Sequence, residues 1–187
     1  SILSPTYRRI EKPSNTGRRS WPGACAGPLA PRLVYGTIRH TTDRGREMNK
    51  QLSIAAVITA GQSPGEKDPL AAYAQGGPKA LIPIAGKPMI NHVMDALSAS
   101  RYIDHFVVVA LLPSAGAEFP VPVDYLPDAG GLVENVRSGI EYALNRFPNA
   151  DAALLCGSDI PTITPAIVDG FIQECFRTEH DVYYNIV

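Results

Sequence analysis

Residues 52–59, Leu-Ser-Ile-Ala-Ala-Val-Ile-Thr, form a near-continuous apolar run rich in β-branched side chains. A strand with one wet face alternates apolar and polar residues. A strand without that alternation is buried on both faces, as in a parallel sheet covered by helices. The chain keeps to that plan beyond this run. Residues 88–98 place Met89, Val93, Met94 and Leu97 at helical spacing, with proline at the first turn. Residues 103–112 contain the run Phe106-Val107-Val108-Val109, a second buried strand, and 121–125 suit a short third one. Val133, Val136, Ile140 and Leu144 mark a helix over 132–147, stopped by Pro148-Asn149. A buried strand follows at 152–156, then a helix at 165–176 with Thr164 as its N-cap, and a further strand is expected over 181–187. Strands alternating with helices imply an α/β fold, a doubly wound and mostly parallel sheet with right-handed crossovers.

The chain has 187 residues, of which 45% are apolar, enough for one domain with a sizeable core plus a tail. Its net charge of -1 conceals a split. Residues 1–50 carry ten Lys/Arg against three Asp/Glu, whereas 51–187 carry seven against fifteen. Residues 1–49 are rich in Arg, Pro, Ser and Gly without a sustained apolar period, and read as a disordered basic extension. Met48 then suits a natural start; an organelle transit peptide and a nucleic-acid-binding arm are the alternatives. Residues 50–187 form the folded domain. Their acidic balance argues against a general nucleic-acid surface. Cys25, Cys156 and Cys175 show no paired spacing, which favours a reducing, cytoplasmic setting. No apolar run approaches the roughly 20 residues of a membrane helix, so no membrane partner is expected.

In doubly wound sheets, ligands bind beyond the carboxyl ends of the strands. Three chemical clusters fall at those ends. The first is Thr59-Ala60-Gly61-Gln62-Ser63, where a glycine turn brings backbone N–H groups within reach of an anion. It is neither a P-loop, lacking Gly-Lys-Ser/Thr, nor a dinucleotide fingerprint, lacking the later glycines. A glycine after a strand is, alone, more often only a turn. Lys79, fixed by Pro78, ends the long polar loop that follows and can reach back over it; Lys67 and Lys87 are lesser candidates. A triphosphate needs such a cation, although a lone lysine is by default a solvated surface group. The second cluster runs from Asp128 through Gly130-Gly131 into the helix bearing Asn135, Arg137 and Ser138. Helix N-terminal amides and small residues suit close approach to a nucleotide; ordinary capping by Asp128 and close packing at Gly139 are the even alternative. The third is Gly157-Ser158-Asp159-Ile160-Pro161, a carboxylate just past a buried strand. Mg²⁺ is satisfied by one or two protein carboxylates, with phosphates and water completing its shell. Asp159 fits that role, or else caps the turn before Thr162 and Thr164. The four histidines have no metal spacing.

With these residues in place, 54–98 resemble the N-terminal signature of the MobA-like nucleotidyltransferases: Ala60-Gly61, Lys79-Ala80-Leu81, then Gly86-Lys87-Pro88-Met89-Ile90 opening a helix. The resemblance covers about 52–187. It implies a Rossmann-like fold of the nucleotide-diphospho-sugar transferase type, of which this chain would be the N-terminal, C-terminally incomplete part. It further implies Mg²⁺-dependent transfer of NMP from an NTP to a phosphorylated small molecule, with pyrophosphate released. Lys79 and Asp159 would be catalytic, with Asp159 on the metal. Ala60, Gly61, Gln62, Ser63, Lys79, Asp128, Gly131, Asn135 and Ser138 would bind nucleotide. The sequence departs from the family in lacking its usual loop arginine and in a longer 61–79 loop. A GT-A glycosyltransferase is a rival reading, weakened because Asp159-Ile160-Pro161 lacks a second Asp. A nucleotide-sensing domain with a decayed site is another.

Overall fold

The computed structural model describes residues 52–61, 69–177, 180 and 182–184. The expected extension at 1–49 lies outside the described residues, as do Gln62, Ser63 and Lys67. The central strand is β1 (Ile54–Thr59), and it is buried on both faces as its composition requires. After it come α1 (Ala71–Ala74), β2 (Pro83–Ile84), β3 (Lys87–Pro88), α2 (Met89–Ser98), β4 (Ile103–Val109), β5 (Asp124–Leu126), α3 (Leu132–Arg146), β6 (Ala152–Gly157) and α4 (Pro165–Cys175).

The main sheet has the order β5-β4-β1-β6, with every pair parallel. Each face of β1 feeds its own core. Ile54, Ala56 and Ile58 pack beneath α2 and α4, against Ile90, Val93, Met94, Leu97, Val168 and Ile172. Ala55 and Val57 face the other way, with Val107, Val109 and Ala143 of α3. Burying one such aliphatic side chain contributes about 1.5–3 kcal/mol, so the two-faced run is what holds the layers together. Gly139 lets α3 lie close on this second face. A Cβ there would collide with Val57 Cγ1 and stand 2.9 Å from Val109 Cγ2.

The expected helices are present. Thr164 caps α4 by accepting the Ile167 N–H at 3.3 Å, and α3 gives way at Phe147, before Pro148. Gly86-Lys87-Pro88 opens α2 as expected, with Pro88 as its N-cap, and also closes a two-residue hairpin between β2 and β3 that was not expected. Ala85 and Gly86 both take positive φ, 50° and 82°, as the tight hairpin turn demands. Two expectations change. The third strand begins at Asp124 rather than 121, because Pro122 has no N–H to give a ladder. Of the strand expected over 181–187, residues 182–184 are described, and they join no ladder among the described strands.

The chain runs from β1 outward to β4 and β5, then returns to lay β6 on the opposite side of β1. The crevice between the carboxyl ends of β1 and β6 is therefore the topological switch point, where parallel sheets take their ligands.

Candidate functional site

The β6 side of the crevice starts from an extra rung. The Ser158 N–H donates to the Thr59 carbonyl at 3.1 Å, carrying the β1–β6 pairing one residue past the strand. Asp159 is thereby delivered to the sheet edge. Its carboxylate folds back over Gly157, where a Cβ would stand 2.7 Å from Asp159 Oδ1. Lys79 arrives from the other direction, at the start of a single 3₁₀ turn, Lys79–Leu81. The neighbours of Lys79 anchor that turn, since Ala80 and Ile82 are buried and the Met89 N–H donates to the Ile82 carbonyl at 2.9 Å. Lys79 Nζ stands 3.7 Å from Asp159 Oδ2, with side chains 26% and 48% exposed. An ion pair this open contributes at most about 1 kcal/mol to stability. A cation and a carboxylate thus meet at the switch point without being needed to hold the fold.

The β5 side is built differently. Asn135, one turn into α3, is only 2% exposed. Its Nδ2 donates to Asp128 Oδ1 at 2.8 Å, and its Oδ1 accepts the Ala129 N–H at 2.7 Å. Asp128 Oδ1 also accepts the Gly130 N–H at 3.1 Å. The Asn135 amide, and then the Gly130 N–H, hold the Asp128 carboxyl below the usual carboxylate range. Gly130 takes φ 100°, a conformation that favours glycine, while Gly131 is extended and N-caps α3.

Gly61 joins the two sides. Its Cβ, were there one, would stand 2.6 Å from Asn135 Nδ2 and 3.3 Å from the Ala110 Cβ. Glycine is therefore required here by a close approach, not by a left-handed turn. The Ala60 N–H is committed to the Val109 carbonyl at 2.9 Å, so Ala60 extends the sheet and offers a ligand no amide. Ser138 follows Asn135 on the same side of α3 and is half-buried. Among lesser candidates, Lys87 pairs with Asp95 on α2, and Arg137 pairs with Glu141 at 3.6 Å along α3.

Among the described residues, no three or more His, Cys, Asp or Glu side chains gather as metal ligands. Asp159 alone supplies one half-exposed hard oxygen donor. That suits Mg²⁺ entering with its phosphates and waters better than a resident ion. Cys156 and Cys175 are free and buried; burial, and for Cys156 the Asp159 charge, pushes their thiols up to about 11 and about 12. Neither suits a nucleophile.

Sequence reasoning brings Gly61, Lys79, Asp128, Gly131, Asn135 and Asp159 to one edge, and they are found there. It missed the reason for Gly61 and the burial of Asn135. An asparagine one turn into a helix, just after an Asp-x-Gly-Gly turn, was the available signal.

A family model described as a MobA-like NTP transferase domain matches residues 55–186. Among solved structures, a hypothetical transferase from Thermus thermophilus matches at 28% identity and a TM-score of 0.51, over 67% of this chain and 47% of that one. The Rv0371c protein from Mycobacterium tuberculosis matches at 21% identity and a TM-score of 0.48, over 70% of this chain and 63% of that one. The chain thus spans about half the length of the first and under two-thirds of the second. No curated protein matches it.

Proposed function

The chain belongs to the MobA-like NTP transferase domain family, and from that premise we propose that it transfers NMP from an NTP to a phosphorylated small-molecule acceptor. The observation that carries this reading is the meeting of Lys79 and Asp159, 3.7 Å apart at the switch point. An acceptor phosphate oxygen attacks the α-phosphorus in line. The new P–O bond forms as the α–β bridging bond breaks, and pyrophosphate leaves with that electron pair.

In this reading Gly61, with Ala60, Gln62 and Ser63, shapes the phosphate loop, and Lys79 offsets the charge that builds on the α-phosphoryl oxygens. Asp128, Gly131 and Ser138 form the nucleoside side, with Asn135 buried behind them, and Asp128 stays ionised because its hydrogen bonds favour the charged form. Asp159 would hold Mg²⁺, which when bound neutralises phosphate charge. Catalysis is then positioning and charge neutralisation, with no covalent protein intermediate. The acidic balance of residues 51–187 supports a small-molecule acceptor over nucleic acid. No helix among the described residues is long and apolar enough to cross a membrane. Free, buried Cys156 and Cys175 support a cytoplasmic setting.

The test is pyrophosphate release by the full-length protein with each of the four NTPs, Mg²⁺ and a panel of phosphorylated acceptors. Release with one NTP and one acceptor class is the expected result. Tight NTP binding without release under any pairing contradicts transfer and turns the reading toward a nucleotide sensor.

A further inference from the structure

Asn135 is the most deeply buried of the polar side chains among the described residues, and it touches both the turn just before its helix and Gly61, which is remote in sequence. Its Oδ1 holds the Ala129 amide and its Nδ2 holds the Asp128 carboxylate. The same Nδ2 fills the space that a Cβ on Gly61 would occupy. Both ends of the amide are engaged, so the group can swing aside for a larger residue at 61 only by giving up these hydrogen bonds. Nor would the obvious relatives of asparagine serve. Aspartate would set a second carboxylate oxygen against Asp128. Glutamine would need room for a methylene where Gly61 already presses.

We infer that Asn135 is a positioning residue that makes the end of β1 and the turn at 128–131 a single rigid unit. It does so from within the core, and is too buried to serve as a nucleotide contact from solvent. Its consequence is a set distance between Gly61 at the end of β1 and the turn at 128–131, so that a nucleotide finds both already in register. The inference rests on the reading above for what the two segments hold. The bracket itself stands on the hydrogen bonds and the close approach. Removing it therefore weakens nucleotide capture more than the chemical step, since Lys79 and Asp159 sit on the other side of the crevice and are held by other contacts.

The test is a double-mutant cycle in the full-length protein with Gly61→Ala, Asn135→Ala and both together. Amide hydrogen exchange and steady-state kinetics are measured on each. In Asn135→Ala, peptides covering 128–131 and the end of β1 are expected to exchange together about tenfold faster, with α4 unchanged. Gly61→Ala alone does the same by displacing the amide, and the double variant is no worse than either single one. KM for the NTP rises about tenfold in each, while kcat at saturating NTP stays within about threefold. Should Asn135→Ala not fold, Asn135→Ser keeps one hydrogen-bonding group and takes its place. Faster exchange in only one of the two segments, additive effects in the cycle, or a loss in kcat with KM unchanged would each overturn the inference. If the wild-type protein neither binds nor turns over any NTP, the functional reading fails while the exchange cycle still decides the bracket.

Discussion

The two sides of the sheet edge are held by opposite means. On the β5 side, a buried amide, a carboxylate and two backbone N–H groups form a closed set of hydrogen bonds around Asn135. On the β6 side, Lys79 and Asp159 face each other at 3.7 Å, partly in water. One side is preorganised by its own polar groups. The other keeps its cation and carboxylate partly exposed, where the proposed reading has an incoming ligand meet them. Nucleoside parts are neutral and need shape, which a rigid turn can present in advance. A triphosphate brings its own charge and metal, and a site already neutralised by tight internal pairs would have nothing left to offer it.

That contrast breaks if the charged side turns out to be structural. Asp159→Ala is expected to lower turnover by about 10³-fold or more, equivalent to about 4 kcal/mol. Its thermal midpoint should stay within about 2 °C of wild type, because an exposed pair adds little stability. Lys79→Ala should lower kcat by about 10²–10³-fold, as loss of a transition-state donor does. A large drop in melting temperature with near-normal kcat in either variant would reverse the contrast. Gly139→Ala sharpens it from the other side, since a Cβ there meets Val57 and Val109. Overpacking should destabilise the fold by about 1–3 kcal/mol in chemical denaturation. Asp128→Asn keeps the shape of the turn but removes a charge that its hydrogen bonds favour, and should weaken NTP binding about tenfold by calorimetry while lowering the melting temperature at pH 7 only slightly.

The smallest expected effect lies away from the site, at Asp169 on α4. Burial alone would raise this carboxyl, but hydrogen bonds from Ser100 at 2.6 Å and Arg101 at 2.8 Å outweigh it and hold it below its ordinary value. A depressed folded pKa stabilises above the unfolded value of about 3.9 and loses that contribution as pH falls through the lower folded one. Asp169→Asn should therefore melt lower than wild type at pH 7, with the gap narrowing below about pH 4.

Much of the layered fold was legible because each element carries its own periodicity. The unbroken apolar run at 52–59 could only be a central parallel strand, and β1 is one. Gly86-Lys87-Pro88 was legible as the entrance to α2, but the hairpin it also closes was not, because its signature is the paired positive φ at Ala85 and Gly86. The short third strand slipped because Val121 and Val123 look like strand residues while Pro122 forbids the ladder. At the site, residue types were legible and partnerships were not. Lys79 meets Asp159 through the β1–β6 pairing, and Gly61 meets Asn135 through the close packing of α3 at Gly139. Both contacts depend on long-range geometry that no local pattern records.

The most direct measurement is calorimetric titration of the full-length wild-type protein and Asp159→Ala with an NTP and with its NMP, each with and without Mg²⁺. A preorganised nucleoside side and an incomplete charged side require NMP affinity to be the same in all four conditions. NTP affinity should depend on Mg²⁺ in the wild type and lose that dependence in Asp159→Ala. NMP and NTP weakened equally by Asp159→Ala, or NTP binding indifferent to both the metal and the substitution, would contradict the division of the site.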